Sequence, residues 1–126
     1  MDEVTLTLPR DEAFVGVVHL VLGGLAVRLD LTVEKLEDLR LALDDLIAHE
    51  LGGEDVTIEV RLHDGTMETT VGPFEPEVLR ARLDGDLDGR LGLRRILETV
   101  VDGYAVGERG STHWVELTTT VGGARG

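Results

Sequence analysis

The sequence contains no cysteine, which excludes a disulfide framework and a thiolate metal site and fits a reducing compartment. Positive charge is scarce: 12 basic residues, of which only Lys35 is a lysine, stand against 25 acidic ones, for a net charge of −13. A surface this negative repels phosphate backbones, so direct DNA or RNA binding is not expected. It suits a protein partner with basic patches, although the same charge also serves solubility. Ser111 is the only serine, and no nucleophile–histidine–acid arrangement can be assembled from the sequence. A long apolar run is also lacking. The stretch from Ala13 to Val27 is too short for a bilayer and is interrupted by His19 and several glycines. Met1 is followed at once by Asp2 and Glu3 with no basic segment, so neither a signal peptide nor a membrane association is expected, and the cytoplasm is the expected location.

The 126 residues are the size of one domain, expected over residues 1–121 with a flexible tail at 122–126. Glu3 to Leu8 alternates and predicts a strand ended by Pro9. Asp11 to about Arg28 predicts a helix whose apolar positions are Phe14, Val17, Val18, Val21, Leu22 and Leu25. Gly23 and Gly24 weaken such a helix by about 1 kcal/mol each relative to alanine, which points to close packing there. Thr32 is a good cap for a second helix with the stripe Leu36, Leu39, Leu43, Leu46 and Ile47, stopped at Gly52-Gly53. Val56–Leu62 and Met67–Val71 form a hairpin around a turn at residues 63–66. Short helices follow at Pro76–Leu83 and Leu91–Val101, then a hairpin of Tyr104–Val106 with His113–Thr119. The order β-α-α-β-β-α-α-β-β predicts an α+β, two-layer sandwich with the helices on one face of a mixed or antiparallel sheet.

Three segments in this order resemble the anti-sigma-factor serine/threonine kinases, members of the gyrase/Hsp90/histidine-kinase (GHKL) ATPase superfamily with its Bergerat fold. The helix Leu41-Ala42-Leu43-Asp44-Asp45-Leu46-Ile47-Ala48-His49 is similar to a family helix reading roughly L-A-V-D-E-A-x-T-N-A. Gly89-Arg90-Leu91-Gly92-Leu93-Arg94-Arg95-Ile96-Leu97, followed by Val100-Val101-Asp102, is similar to G-L-G-L-x-L-I with a later L-V-D. Gly110-Ser111-Thr112 before an apolar strand is similar to the family's Gly-Thr step. The resemblance spans Leu6 to Val121. It implies a homodimer that grips a sigma factor, exchanges it for an anti-anti-sigma (STAS) protein, and phosphorylates a serine of that protein using ATP and Mg²⁺.

The departures from the pattern point to a degenerate member. The family's catalytic glutamate corresponds to Asp45, one methylene shorter. The asparagine that holds Mg²⁺ corresponds to His49, which removes an oxygen ligand from a site for a hard cation. The pair Asp45/His49 reads either as a remnant of that site or as an ordinary exposed pair at helical spacing. The family's Asp-x-Gly-x-Gly, whose aspartate accepts the adenine amino group, is absent. Thr69-Thr70-Val71-Gly72-Pro73-Phe74 stands there without an acid, and Phe74 is placed to fill part of the adenine space. Of the phosphate lid, Gly92 and Leu93 persist but an earlier glycine is Arg90. Ser111 and Thr112 complete the nucleotide-binding remnants. No bound cofactor and no metal site is expected, although ATP and Mg²⁺ remain the alternative. A metal-binding module built from Asp44, Asp45, His49 and Glu50 is a third reading, disfavoured because adjacent acids on a helix point apart. The family's first helix carries an arginine toward the partner in a V-V-R-L run. Here the run is Val17-Val18-His19-Leu20, so His19 reads either as a weaker partner contact or as the edge of a helix-packing surface.

Overall fold

The computed structural model describes residues 2–9, 12–29, 31–47, 55–63, 65–84 and 93–120. In chain order these form β1 (Asp2–Pro9), a 3-10 turn (Glu12–Phe14), α1 (Val15–Leu29), α2 (Val33–Ile47), β2 (Asp55–His63), β3 (Thr66–Phe74), α3 (Pro76–Asp84), α4 (Leu93–Val100), β4 (Gly103–Arg109) and β5 (Thr112–Thr120). The strands make one sheet of order β1-β2-β3-β5-β4. Every pairing is antiparallel, which decides between the mixed and antiparallel alternatives.

Alternation along the strands assigns the two faces of the sheet. Ile58, Val60, Met67, Val71, Val115 and Leu117 point inward and join Leu39, Leu43, Leu46, Leu79 and Leu97 from the helices in one buried cluster. The opposite face carries Thr5, Thr7, Thr57, Glu59, Arg61, Glu68, Trp114 and Glu116, all partly or fully exposed. The helices therefore cover a single face, as the hairpin-and-helix-pair order predicts.

Helix α2 begins as its sequence dictates. The hydroxyl oxygen of Thr32 accepts a hydrogen bond from the Lys35 amide at 3.1 Å, satisfying a first-turn donor with no helical partner. Its buried stripe is Leu39, Ala42, Leu43, Leu46 and Ile47; Leu36 lies at the margin, and Leu41, expected to border a hollow with Ala42, is half exposed while Ala42 is buried.

Several expectations need correction. The first helix starts after a 3-10 turn, and Asp11 lies outside the described residues. It buries Val18, Leu22 and Ala26, while Phe14 and Val17 are exposed. Among the described residues nothing lies within 4 Å of a Cβ added at Gly23 or Gly24, so the close packing expected there is not seen among them. Strand β3 runs past Val71 to Phe74 across a register irregularity between those residues, and β4 extends to Arg109. At the β2–β3 turn Gly65 has φ +75°, a conformation glycine adopts without strain. The stop at Gly52-Gly53 and the tail at 122–126 lie outside the described residues.

Candidate functional site

The direction of each element decides which candidate residues can meet. Strand β5 runs from Thr112 to Thr120. The Lys35 ammonium, in the first turn of α2, donates to the carbonyl oxygen of Thr120, so α2 starts at the Thr120 end and finishes toward the Thr112 end. Helix α4 leads into β4 at Gly103, which pairs with Thr118, so α4 also starts toward the Thr112 end. At that end β3 finishes, Phe74 opposite His113. Asp45 near the end of α2, Gly72 near the end of β3, Leu93 at the start of α4, Ser111 just before β5 and Thr112 at its start thus belong to one end of the sandwich. His49, Arg90 and Gly92 lie outside the described residues, as does Glu50.

The far end is tied by Asp102, the last residue of the Val100-Val101-Asp102 motif. Its carboxylate accepts from the Thr120 amide at 2.7 Å, and its own amide donates to the Thr118 carbonyl at 3.0 Å. That clamp joins the start of β4 to the end of β5 and gives Asp102 a structural role.

At the candidate end, Asp45 is partly buried. Its neighbour Asp44 meets His19 of α1, with Nε2 of His19 and Oδ1 of Asp44 2.7 Å apart. His19 is therefore engaged within the chain as a link between α1 and α2. Phe74 points inward and is 1% exposed, among the largest fully buried side chains. Gly72 lies against the indole of Trp114 on the open face, where a Cβ added to it would sit 2.5 Å from Cδ2. Only a residue without a side chain allows this approach. The hydroxyl of Thr112 donates to the Arg109 carbonyl at 2.9 Å, and Gly110 turns the chain with φ +63°. Among the described residues no group of three or more His, Asp or Glu side chains is placed to hold a metal.

One cluster is not expected from the sequence. Arg109 reaches from β4 over Trp114, its Cζ 4.1 Å from the ring centroid, and donates two hydrogen bonds to Glu59 of β2, at 3.1 and 3.0 Å. These bonds hold the Glu59 carboxyl below its ordinary value of 4.5; burial opposes them, and the charges of Arg109 and Arg61 add to the lowering. Glu59 in turn raises the guanidinium's own value. The bidentate geometry fits a planar guanidinium and a carboxylate. The sequence signal was limited to the alternation that puts Trp114 on the polar face.

Comparison with known proteins finds relatives that share one name. Over 77 residues the chain is 32% identical to the serine-protein kinase RsbW of Listeria monocytogenes, covering 56% of this chain and 49% of that protein. Over almost the full chain it is 25% identical to RsbW of Bacillus velezensis, covering 99% of this chain and 89% of the relative. At family level, this chain is similar to the RsbW serine-protein kinases. RsbW of Halalkalibacterium halodurans is 28% identical over 107 residues, 77% of this chain and 65% of its own length. The Listeria match spans about half the length of the relative. The fold is shared with the crystal structure of the RsbU and RsbW domains of Rv1364c from Mycobacterium tuberculosis. The TM-score is 0.68 at 13% identity, over 96% of this chain and 32% of that chain. No family model matches the chain. Among the described residues no helix is long and apolar enough to cross a membrane.

Proposed function

We propose that this chain is a degenerate anti-sigma-factor-like regulator that works by holding a protein partner, without productive ATP binding. The partner is a sigma factor, an anti-anti-sigma (STAS) protein or both, and the setting is transcriptional or stress control in the cytoplasm. The observation that carries this reading is Phe74, a phenyl ring fully buried at the end of β3, in the stretch where the family places its adenine-accepting aspartate. A ligand donor left without that acceptor loses several kcal/mol, on the order of 1–3 for each buried group left unpaired. His49 in the magnesium position adds to the argument, because magnesium prefers oxygen ligands. The Gly72–Trp114 contact supports it further, since it fixes the backbone next to Phe74. The net charge of −13 argues against nucleic acid as the partner. Two copies of the chain are proposed to pair, as the family resemblance implies; the apolar residues that α1 leaves exposed support this. The test is a two-sided pull-down with sigma factors and STAS proteins of the same genome, with and without Mg-ATP. Capture that is unchanged by nucleotide supports the reading; capture that requires nucleotide contradicts it.

A second reading, an active serine kinase, is favoured by the carboxylate that Asp45 retains at the same end of the sandwich as Ser111 and Thr112. The matched relatives are named serine-protein kinases. Transfer of radiolabelled phosphate from ATP to a co-encoded STAS protein, abolished by Asp45→Ala, would establish this alternative.

A further inference from the structure

We infer that the outer edge of β4 receives an extended segment of a protein partner, added to the sheet as a further strand and carrying basic and apolar side chains in alternation. The inference rests on the reading that this chain acts by holding a protein partner. It names the surface and the mode of contact.

The edge is the starting point. The sheet order leaves β4 with β5 as its one neighbour among the described residues, so its outer backbone donors and acceptors have no ladder partner there. Edge strands are ordinarily blunted by proline, lysine, a bulge or very short length. Strand β4 has none of these. It is seven residues, Gly-Tyr-Ala-Val-Gly-Glu-Arg, paired with β5 in continuous register from Gly103 to Arg109. The guanidinium of Arg109 is turned away from the edge, back over Trp114 and onto Glu59. The opposite edge strand, β1, opens instead with Asp2 and Glu3 and ends in Pro9.

Alternation gives this edge two different flanks. On the open face of the sheet stand Gly103, Ala105 and Gly107, opposite Thr118, Glu116 and Trp114 of β5. These small residues raise no wall between β5 and the edge. The exposed Glu116 leans across them: its Oε2 lies 3.4 Å from the position a Cβ would take on Gly107. On the helix-bearing face stand Tyr104 and Val106. Tyr104 packs against the core, and Val106 is 41% exposed. A strand laid along β4 therefore meets a carboxylate on one face and apolar surface on the other.

Charge selects the occupant. Besides Glu116, the edge carries Glu108, 75% exposed and 3.5 Å from Nε2 of His113, within a chain of net charge −13. A second copy of this chain would bring the same carboxylates edge to edge and be repelled, as would an acidic segment.

A lysine or arginine of the partner segment, placed beside Ala105 or Gly107, reaches the Glu116 carboxylate without obstruction. The residues before and after it point to the other face and cover Val106 and the margin of Tyr104. Main-chain hydrogen bonds to β4 supply the attachment, and the alternating side chains supply the selectivity.

Nuclear magnetic resonance titration of the isotope-labelled full chain with an end-blocked peptide of alternating lysine and valine tests this. Amide shifts are expected along Gly103–Arg109 and their partners in β5. The same peptide N-methylated throughout keeps its charge but loses its ladder donors, and should bind roughly tenfold or more weakly. Glu116→Lys, a change at an exposed side chain, should leave circular dichroism unchanged and weaken the unmethylated peptide by a similar factor. Equal binding of the two peptides reduces the contact to general charge attraction and overturns strand addition. Shifts elsewhere, binding that is unaltered in Glu116→Lys, or a wild type that associates with itself through β4 overturns this occupant of the edge. A sigma factor or STAS protein captured without nucleotide, equally by wild type and Glu116→Lys, overturns this surface while leaving the regulator reading intact; no such capture overturns both.

Discussion

The indole of Trp114 lies so close over Gly72 that a Cβ on residue 72 would come within 2.8 Å of three of its atoms, the nearest, Cδ2, at 2.5 Å. Because Gly72 is buried and the ring is itself held under Arg109, neither side can yield freely. Gly72→Ala is therefore an overpacking substitution, expected to destabilise the fold by about 1–3 kcal/mol. Urea unfolding followed by tryptophan fluorescence should show a lower midpoint, and the single tryptophan should report the displacement through a shifted native emission maximum. An unchanged midpoint would contradict the close contact.

The Glu59–Arg109 pair gives stability a pH dependence of definite sign. Its folded-state carboxyl titrates below the ordinary value of 4.5. The contribution is thus fully present above about pH 4.5 and is lost as pH falls through the lowered value. Arg109 is nearly half exposed, so solvent screening keeps the pair's worth to about 1 kcal/mol or less. Glu59→Gln should be less stable than wild type at pH 7, and the gap between them should close as the pH falls below 4.5 and through the lowered value. A gap that stayed constant with pH would show that the loss comes from packing instead of charge.

The His19–Asp44 contact couples α1 to α2 across 25 residues of sequence. Both side chains keep access to water, so the coupling should be small. A double-mutant cycle with His19→Ala and Asp44→Ala at pH 7 should give a coupling of roughly 0.5–1 kcal/mol. Zero coupling would leave His19 free of Asp44 and available for a contact with another protein.

Much of this fold could be read from local patterns. Thr32 announced the start of α2, the leucine stripe its buried side, and alternation the two faces of β2 and β3. Helix α1 was less legible because it is apolar almost all round. Periodicity could not choose between the face that packs, through Val18, Leu22 and Ala26, and the face that carries Leu20 and Val27. The strand expected over Met67–Val71 runs on to Phe74, because proline is tolerated at a strand irregularity where no ladder donor is required, and burial of Phe74 carries the strand past Pro73. That Asp45, Gly72, Leu93, Ser111 and Thr112 lie at one end of the sandwich follows from the directions of α2, β3, α4 and β5 in the fold, which local patterns leave open. The Glu59–Arg109–Trp114 cluster was not legible, because it joins residues fifty positions apart across four strands. No local spacing encodes such a contact.

The proposed regulator acts without nucleotide. Isothermal titration of the purified chain with ATP in the presence of Mg²⁺ tests it most directly. No saturable heat is expected through the millimolar range, where a binding free energy would be only about −4 kcal/mol. A saturable isotherm at micromolar affinity, about −8 kcal/mol on the same scale, would contradict it.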